Sequence, residues 1–156
     1  MSAVAVEAGV HRAALYRRWP TLAALRFELQ TSASVPPDLP DQGSIRDDLV
    51  AAVTFLVESM SADDPELTAD QIATMIRDRP FAEEVWRRRW RPDRAAVLPI
   101  WERAVARGEV RDDVDGATVL DDLVAVCLFR VHLAHDPPDA AAIASIVDRL
   151  LDGVRN

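Results

Sequence analysis

The groups able to do chemistry near the start of the chain are cations and one phenol. In "AGVHRAALYRRWP" (Ala8 to Pro20), Arg12, Arg17 and Arg18 surround Tyr16. A guanidinium forks onto a guanine edge or a phosphate, a phenol donates to a phosphate, and a small alanine permits close approach. That is the chemistry of polyanion recognition. Candidates for reaction chemistry are sparse. His132 and His135 stand three residues apart beside Asp136, a spacing that clips a metal ion. His135 equally suits a helix C-terminus, where its cation meets the dipole, and this second reading is preferred. Cys127 lies in the most apolar run of the chain, where a thiol is usually inert. The sequence contains no G-x-S-x-G, phosphate-cradling glycine loop or H-E-x-x-H. No enzyme activity, cofactor or metal is expected.

The basic segment belongs to an acidic protein. The 156 residues carry a formal net charge of -8, yet residues 1–30 hold four arginines against Glu7 and Glu28, which is +2 and leaves -10 for the rest. A basic head on an acidic body suggests that the head alone meets a polyanion; with so few charges, chance remains an open alternative. The length suits one compact domain with a small appendage. No apolar run reaches membrane-span length and no signal peptide is evident. A single cysteine excludes an internal disulfide. A soluble, cytoplasmic protein is expected.

The elements that must position these groups are helices. No stretch alternates with period two. A short apolar helix from Val4 to Ala8 ends at Gly9, and a second runs from Arg12 to Trp19 before Pro20. Thr21 caps a third. "SVPPDLPDQG" reads as a linker. Ser44 caps a helix with Ile45, Leu49, Val53, Leu56 and Met60 on one face. Pro65 heads the next, which runs to about Arg79. Phe81 to Trp90 follows, and Pro92 is expected to interrupt it. A further helix closes at Gly108, Asp115 caps one reaching Ala134, and the last spans about Ala140 to Val154.

"LVAVCLFRVHLA" (Leu123 to Ala134) is apolar on nearly every face, and the final helix carries a wide apolar stripe. Together they suggest four helices meeting across a two-fold axis in a homodimer. The interface expected from this pattern comprises Leu123, Val124, Cys127, Leu128, Val131, Ile143, Ile146, Val147, Leu150 and Leu151. An ordinary buried pair within a monomer fits the same pattern.

The two short opening helices, joined at a glycine, have the form of a helix-turn-helix, whose second helix enters the major groove of DNA. Leu15 and Trp19 face inward as an i, i+4 pair. Arg12, Ala13, Tyr16 and Arg17 face outward. A solvated surface helix would look much the same. The window "VAVEAGVHRAALYRRWPTLAAL" resembles the helix-turn-helix of the tetracycline-repressor (TetR) family of transcription regulators. Ala8, Gly9, Val10, Leu15, Tyr16, Trp19, Pro20, Ala24 and Leu25 carry the resemblance. "IWERAVARGEVRDDVD" (Ile100 to Asp115), with Phe129 and Arg130, resembles the C-terminal domain of one subgroup.

That resemblance implies an all-α fold: a helix-turn-helix domain at 1–34 and a ligand-binding and dimerisation domain at 43–156. It implies a homodimer that binds double-stranded operator DNA, as a repressor, and releases it when a small-molecule effector binds the body. Arg12, Ala13 and Tyr16 fall where the family touches bases; Ala14, Arg17 and Arg18 fall where it meets the backbone. Two departures stand out. The family's first helix, which packs on the recognition helix, has no counterpart ahead of Met1, and Leu22 stands where a phosphate-contacting lysine is common. Both are expected to weaken DNA binding. Phe55, Met75, Trp86, Trp90, Trp101 and Phe129 are candidates to line an effector cavity for an apolar or aromatic ligand, though each equally serves a core. The alternative reading is a homodimeric helical small-molecule-binding module that no longer reads DNA.

Overall fold

Helix starts follow the chemistry of orphan backbone donors. Thr21 Oγ1 accepts from the Ala24 N–H at 3.0 Å, Ser44 Oγ from Asp47 at 3.1 Å and Asp115 Oδ1 from Ala117 at 3.0 Å. These caps were expected. His11 Nδ1, Asp78 and Asp139 cap three further helices by accepting from Ala13, Phe81 and Ala142. A computed structural model of the chain describes residues 1–33 and 39–155. Its helices are α1 (Ser2–Glu7), α2 (Arg12–Arg18), α3 (Leu22–Ala33), α4 (Ile45–Ala62), α5 (Pro65–Arg77), α6 (Arg79–Val85), α7 (Arg91–Ala106), α8 (Gly116–Leu128) and α9 (Ala140–Asp152). π-helical turns occupy Trp86–Trp90, after α6, and Phe129–Leu133, after α8. There is no strand among the described residues, only an isolated bridge between Val110 and Arg155. The protein is all-α.

Two boundaries differ from the sequence-based reading. Pro92 does not interrupt a helix. The wider π turn ahead of it resets the hydrogen-bond ladder, so that Pro92 falls in the first turn of α7, where a missing N–H is tolerated. The helix expected to reach Ala134 as one α-helix changes to π geometry at Phe129. It ends with His135 at φ +53 and the Asp136 N–H donating to the Arg130 carbonyl at 2.9 Å. Of the proline-rich linker, residues 34–38 lie outside the described residues.

The chain divides into two packing units. Unit 1 comprises Met1–Val35 and Glu66–Trp90; unit 2 comprises Pro36–Pro65 and Arg91–Asn156. The first therefore combines the N-terminal helices with a segment that comes after α4 in chain order. In unit 1, Ala5, Leu15, Ala23, Leu25, Phe27 and Val85 are buried, while Val4 and Val6 on α1 are exposed. Phe27 meets Phe81 edge to face at 5.9 Å.

Unit 2 is organised around α4. Ile45, Leu49, Val53 and Val57 recur every four residues and are all buried, so one stripe of α4 serves α7, α8 and α9 together. A charge is buried beside this stripe. Asp48, 1% exposed, accepts from the Gln42 N–H at 2.7 Å and faces Arg107 at 3.4 Å and Arg103 at 3.6 Å. Arg107 also pairs with Asp41 and Glu109, and Glu109 accepts from the Ile45 N–H at 2.6 Å. This network joins the start of α4 to the end of α7. Arg46 grips Asp148 with both ends of its guanidinium, at 2.7 and 3.0 Å, linking α4 to α9.

Where α7 meets α8, Trp101 lies over Gly116, and a Cβ added at Gly116 would overlap the indole ring. Gly116→Ala is expected to destabilise the protein by about 2–3 kcal/mol through overpacking. Urea unfolding followed by circular dichroism measures this; an unchanged midpoint would contradict the close packing.

Candidate nucleic-acid interface

The N-terminal corner is built from backbone rules. Gly9 takes φ +62, the left-handed conformation that closes α1, and the Val10 N–H returns to the Ala5 carbonyl at 3.0 Å. His11 then starts α2, and the Trp19 N–H ends it on the Leu15 carbonyl at 2.7 Å. Within α2 only Leu15 is buried. Arg12, Ala13, Ala14, Tyr16, Arg17 and Arg18 are all exposed, and Trp19 is half-buried. The structure thus gathers the six sequence-derived DNA-contact candidates onto one short helix, with a single apolar residue anchoring it.

Two of the cations are pre-oriented by rings. Arg12 lies over the Tyr16 ring, Cζ 5.3 Å from the centroid, and its Nη2 donates to Tyr16 Oη at 3.5 Å. Arg18 Cζ lies 5.8 Å from the Trp19 ring. Behind α2, Glu28 on α3 pairs with Arg88 in the first π turn. The Arg88 hydrogen bond holds the Glu28 carboxyl below the ordinary carboxylate range, and the partnership raises Arg88 in return. The local pattern of the Arg87–Arg91 run points to Glu83, Glu84 and nearby aspartates as partners, and Arg87 and Arg88 do pair with Glu84; Glu28 lies sixty residues from Arg88, so no local pattern connects those two. Charge segregates with packing. Unit 1 carries nine arginines against seven carboxylates, whereas unit 2 carries nine against nineteen.

The remaining candidates are placed as follows. Leu123, Cys127, Ile143, Ile146, Val147 and Leu151, expected to face a second subunit, are buried in the chain's own core, so they offer a partner no surface. Val124, Leu128, Val131 and Leu150 are half-buried. The reason is that α4 covers one full side of α8 and of α9. The apolar surface left open on α8 and its π turn is Val126, Phe129 and Leu133, which are 41%, 58% and 56% exposed. Among the effector-cavity candidates, Trp101 is buried, its indole N–H without an acceptor, and Phe55 is exposed on α4. Phe129 lines an open depression of about 490 Å³ with Ala125, Val126, Arg130, Ala134 and Asp136; neither Phe55 nor Trp101 reaches it. Trp86 and Trp90 meet edge to face at 6.0 Å within their π turn, and Met75 is half-buried on α5.

His132 lies in the second π turn, His135 takes the left-handed cap position, and Asp136 pairs with Arg130. Among the described residues, no three His, Cys, Asp or Glu side chains cluster in a way that could hold a metal ion. No helix among them is long and apolar enough to cross a membrane.

A basic helix-turn-helix and an all-helical acidic body together define the architecture of a transcription regulator. Residues 39–150 match the family model described as "Tetracyclin repressor-like, C-terminal domain". The chain is 32% identical over 153 residues to the DNA-binding transcriptional repressor TetR of Mycobacteroides abscessus, covering 97% of this chain and 80% of that protein. It is 25% identical over 154 residues to the HTH-type transcriptional regulator YdeS of Bacillus subtilis, covering 97% and 77%. It is 35% identical over 140 residues to the HTH-type transcriptional regulator AqdR of Rhodococcus erythropolis, covering 86% and 66%. The chain belongs to the tetracycline-repressor (TetR) family of transcriptional regulators.

Burial pushes the Cys127 thiol up to about 11, so it is neutral at ordinary pH. A thiol reagent such as dithionitrobenzoate is expected to leave native protein unmodified and to label one cysteine per chain in urea. Rapid labelling of the native protein would show that the α8 core opens.

Proposed function

We propose that this chain is a ligand-responsive repressor that acts in the cytoplasm and binds operator DNA as a homodimer, with α2 in the major groove. The observation that carries the reading is the single-sided burial of α2, which anchors on Leu15 and presents Arg12, Ala13, Ala14, Tyr16, Arg17 and Arg18 outward. In this reading Arg12, Ala13 and Tyr16 read bases, with the guanidinium already stacked on the phenol; Ala14, Arg17 and Arg18 meet the backbone. The N-terminal domain is the reading head, within residues 1–34, and the body, within 43–156, holds the dimer contact and the effector site. The printed description of the Mycobacteroides abscessus relative as a DNA-binding transcriptional repressor supports the direction of control.

Two copies join through the exposed stripe of Val126, Phe129 and Leu133, three large apolar side chains open on α8 and its π turn. The effector is apolar or aromatic, in keeping with Phe55, Trp101 and Phe129 in the body. Its binding favours a non-DNA-binding arrangement by differential affinity.

Selection of duplexes from a random pool, followed by fluorescence anisotropy, tests the DNA reading. Arg12→Ala is expected to cost about 1–3 kcal/mol and relax one position of the selected site. Arg17→Ala is expected to weaken all sequences alike and reduce the salt slope by about one. A protein that dimerises yet enriches no duplex would instead be the binding module without DNA recognition. For the interface, light scattering of Phe129→Asp is expected to report a folded monomer where the parent chain is a dimer; a dimeric variant would remove that stripe from the contact.

A further inference from the structure

Within unit 1 a chain of alternating charges runs from the first π turn to the end of α2. Arg88 Nη1 donates to Glu28 Oε2 at 2.8 Å and to Glu84 Oε1 at 3.4 Å. Its guanidinium lies over Phe27, Cζ 5.5 Å from the ring centroid, and Phe27 rests edge-on against Phe81. Arg18, the last residue of α2, lines the same cleft as Glu28, and its charge acts weakly on that carboxylate. Arg18, Trp19, Phe27, Glu28, Phe81 and Arg88 line one cleft of about 230 Å³.

Glu28 therefore shares its cleft with two cations. One belongs to the helix that presents the exposed basic face; the other belongs to a π turn, a geometry frequent at functional sites in helices. While Arg88 holds Glu28, the carboxylate's charge is neutralised and its lone pairs are occupied. Were Arg88 withdrawn, an uncompensated carboxylate would stand beside Arg18. It would draw that guanidinium inward and repel an approaching phosphate. The pair is a poor candidate for a stability device, because its side chains are 30% and 32% exposed and such ion pairs contribute little to folding. Its field on a neighbouring charge is a separate matter.

We propose that Arg88 is an electrostatic positioning residue for DNA binding: by neutralising Glu28 it keeps Arg18 available to a DNA phosphate, so that displacement of the Trp86–Trp90 turn is converted into a change of charge at the end of the reading helix. The proposal rests on the DNA-binding function argued above. It assigns the coupling to one carboxylate whose sign matters, which a purely mechanical linkage would not require.

The experiment compares the parent chain with Arg88→Gln, Glu28→Gln and the double variant, each checked for folding by circular dichroism. Binding to a mixed-sequence duplex is measured by anisotropy at low ionic strength, and the Glu28 carboxyl is titrated by NMR. Arg88→Gln is expected to bind about fivefold more weakly, by one uncompensated charge near a phosphate contact. Glu28→Gln is expected to bind at least as tightly as the parent. The double variant is expected to recover to within about twofold of Glu28→Gln, because the two sites act through one charge. The Glu28 titration is expected to move up toward the ordinary range in Arg88→Gln. A mechanical clasp would instead weaken binding in both single variants without recovery in the double, and that outcome overturns the proposal. So does an unmoved Glu28 titration, whatever the DNA result. If Arg88→Gln fails to fold, a folded Glu28→Gln that loses binding overturns it. No duplex binding by the parent chain overturns the DNA-reading function and the relay with it; binding without recovery overturns the relay alone.

Discussion

The apolar stripe of α4 is the constraint on which unit 2 depends. Ile45, Leu49, Val53 and Val57 are excluded from water by three other helices at once. Each such side chain contributes about 1.5–3 kcal/mol on burial. Buried Asp48, next to Leu49 near the start of the stripe, adds directionality. A buried carboxylate must be paired, and its partners Arg103 and Arg107 lie near the end of α7. Sliding α4 by one turn would strand that charge, so the polar cluster sets the register that the aliphatic side chains leave permissive.

What α4 covers also decides what is left over. Helix α8 is apolar on several sides, but α4 and α7 take the side bearing Val119, Leu120, Leu123 and Cys127. The opposite side, with Val126 and Phe129, continues through the π turn to Leu133 and remains open. The surface available to a second copy is thus a remainder, set by which face the intramolecular core claims first. The Arg130–Asp136 pair and the left-handed His135 then fix the end of that surface.

In unit 1 the organising effect is electrostatic as much as apolar. A small head with Leu15, Leu25 and Phe27 inside gains a second layer from α6 and the π turn after it, through Phe81 and Arg88. The nine arginines gathered there, against seven carboxylates, leave a positive surface on an otherwise acidic chain. Each of the cations Arg12, Arg18 and Arg88 rests over an aromatic ring, which limits the conformations available to a long side chain.

Helix existence, half of the side-chain N-caps and the outward set on α2 were legible from local pattern, because capping and 3.6-residue periodicity act within a few residues. Gly9 announced its left-handed turn and Thr21, Ser44 and Asp115 their caps. The apolar character of α8 and α9 was equally plain, yet their buried and open faces were not separable: a stripe apolar on many sides does not say which neighbour arrives first. The π turns escaped for a related reason, since Trp86–Trp90 and Phe129–Leu133 differ from α-helix only in a hydrogen-bond step that composition does not encode. By itself, then, the sequence determined an all-helical regulator with a short, exposed basic helix near its start. Only the tertiary structure decided that residues 66–90 pack with the head, that Glu28 meets Arg88, and which side of α8 stays open. Those outcomes depend on contacts between residues far apart in the chain, where the competition among apolar faces is settled by geometry.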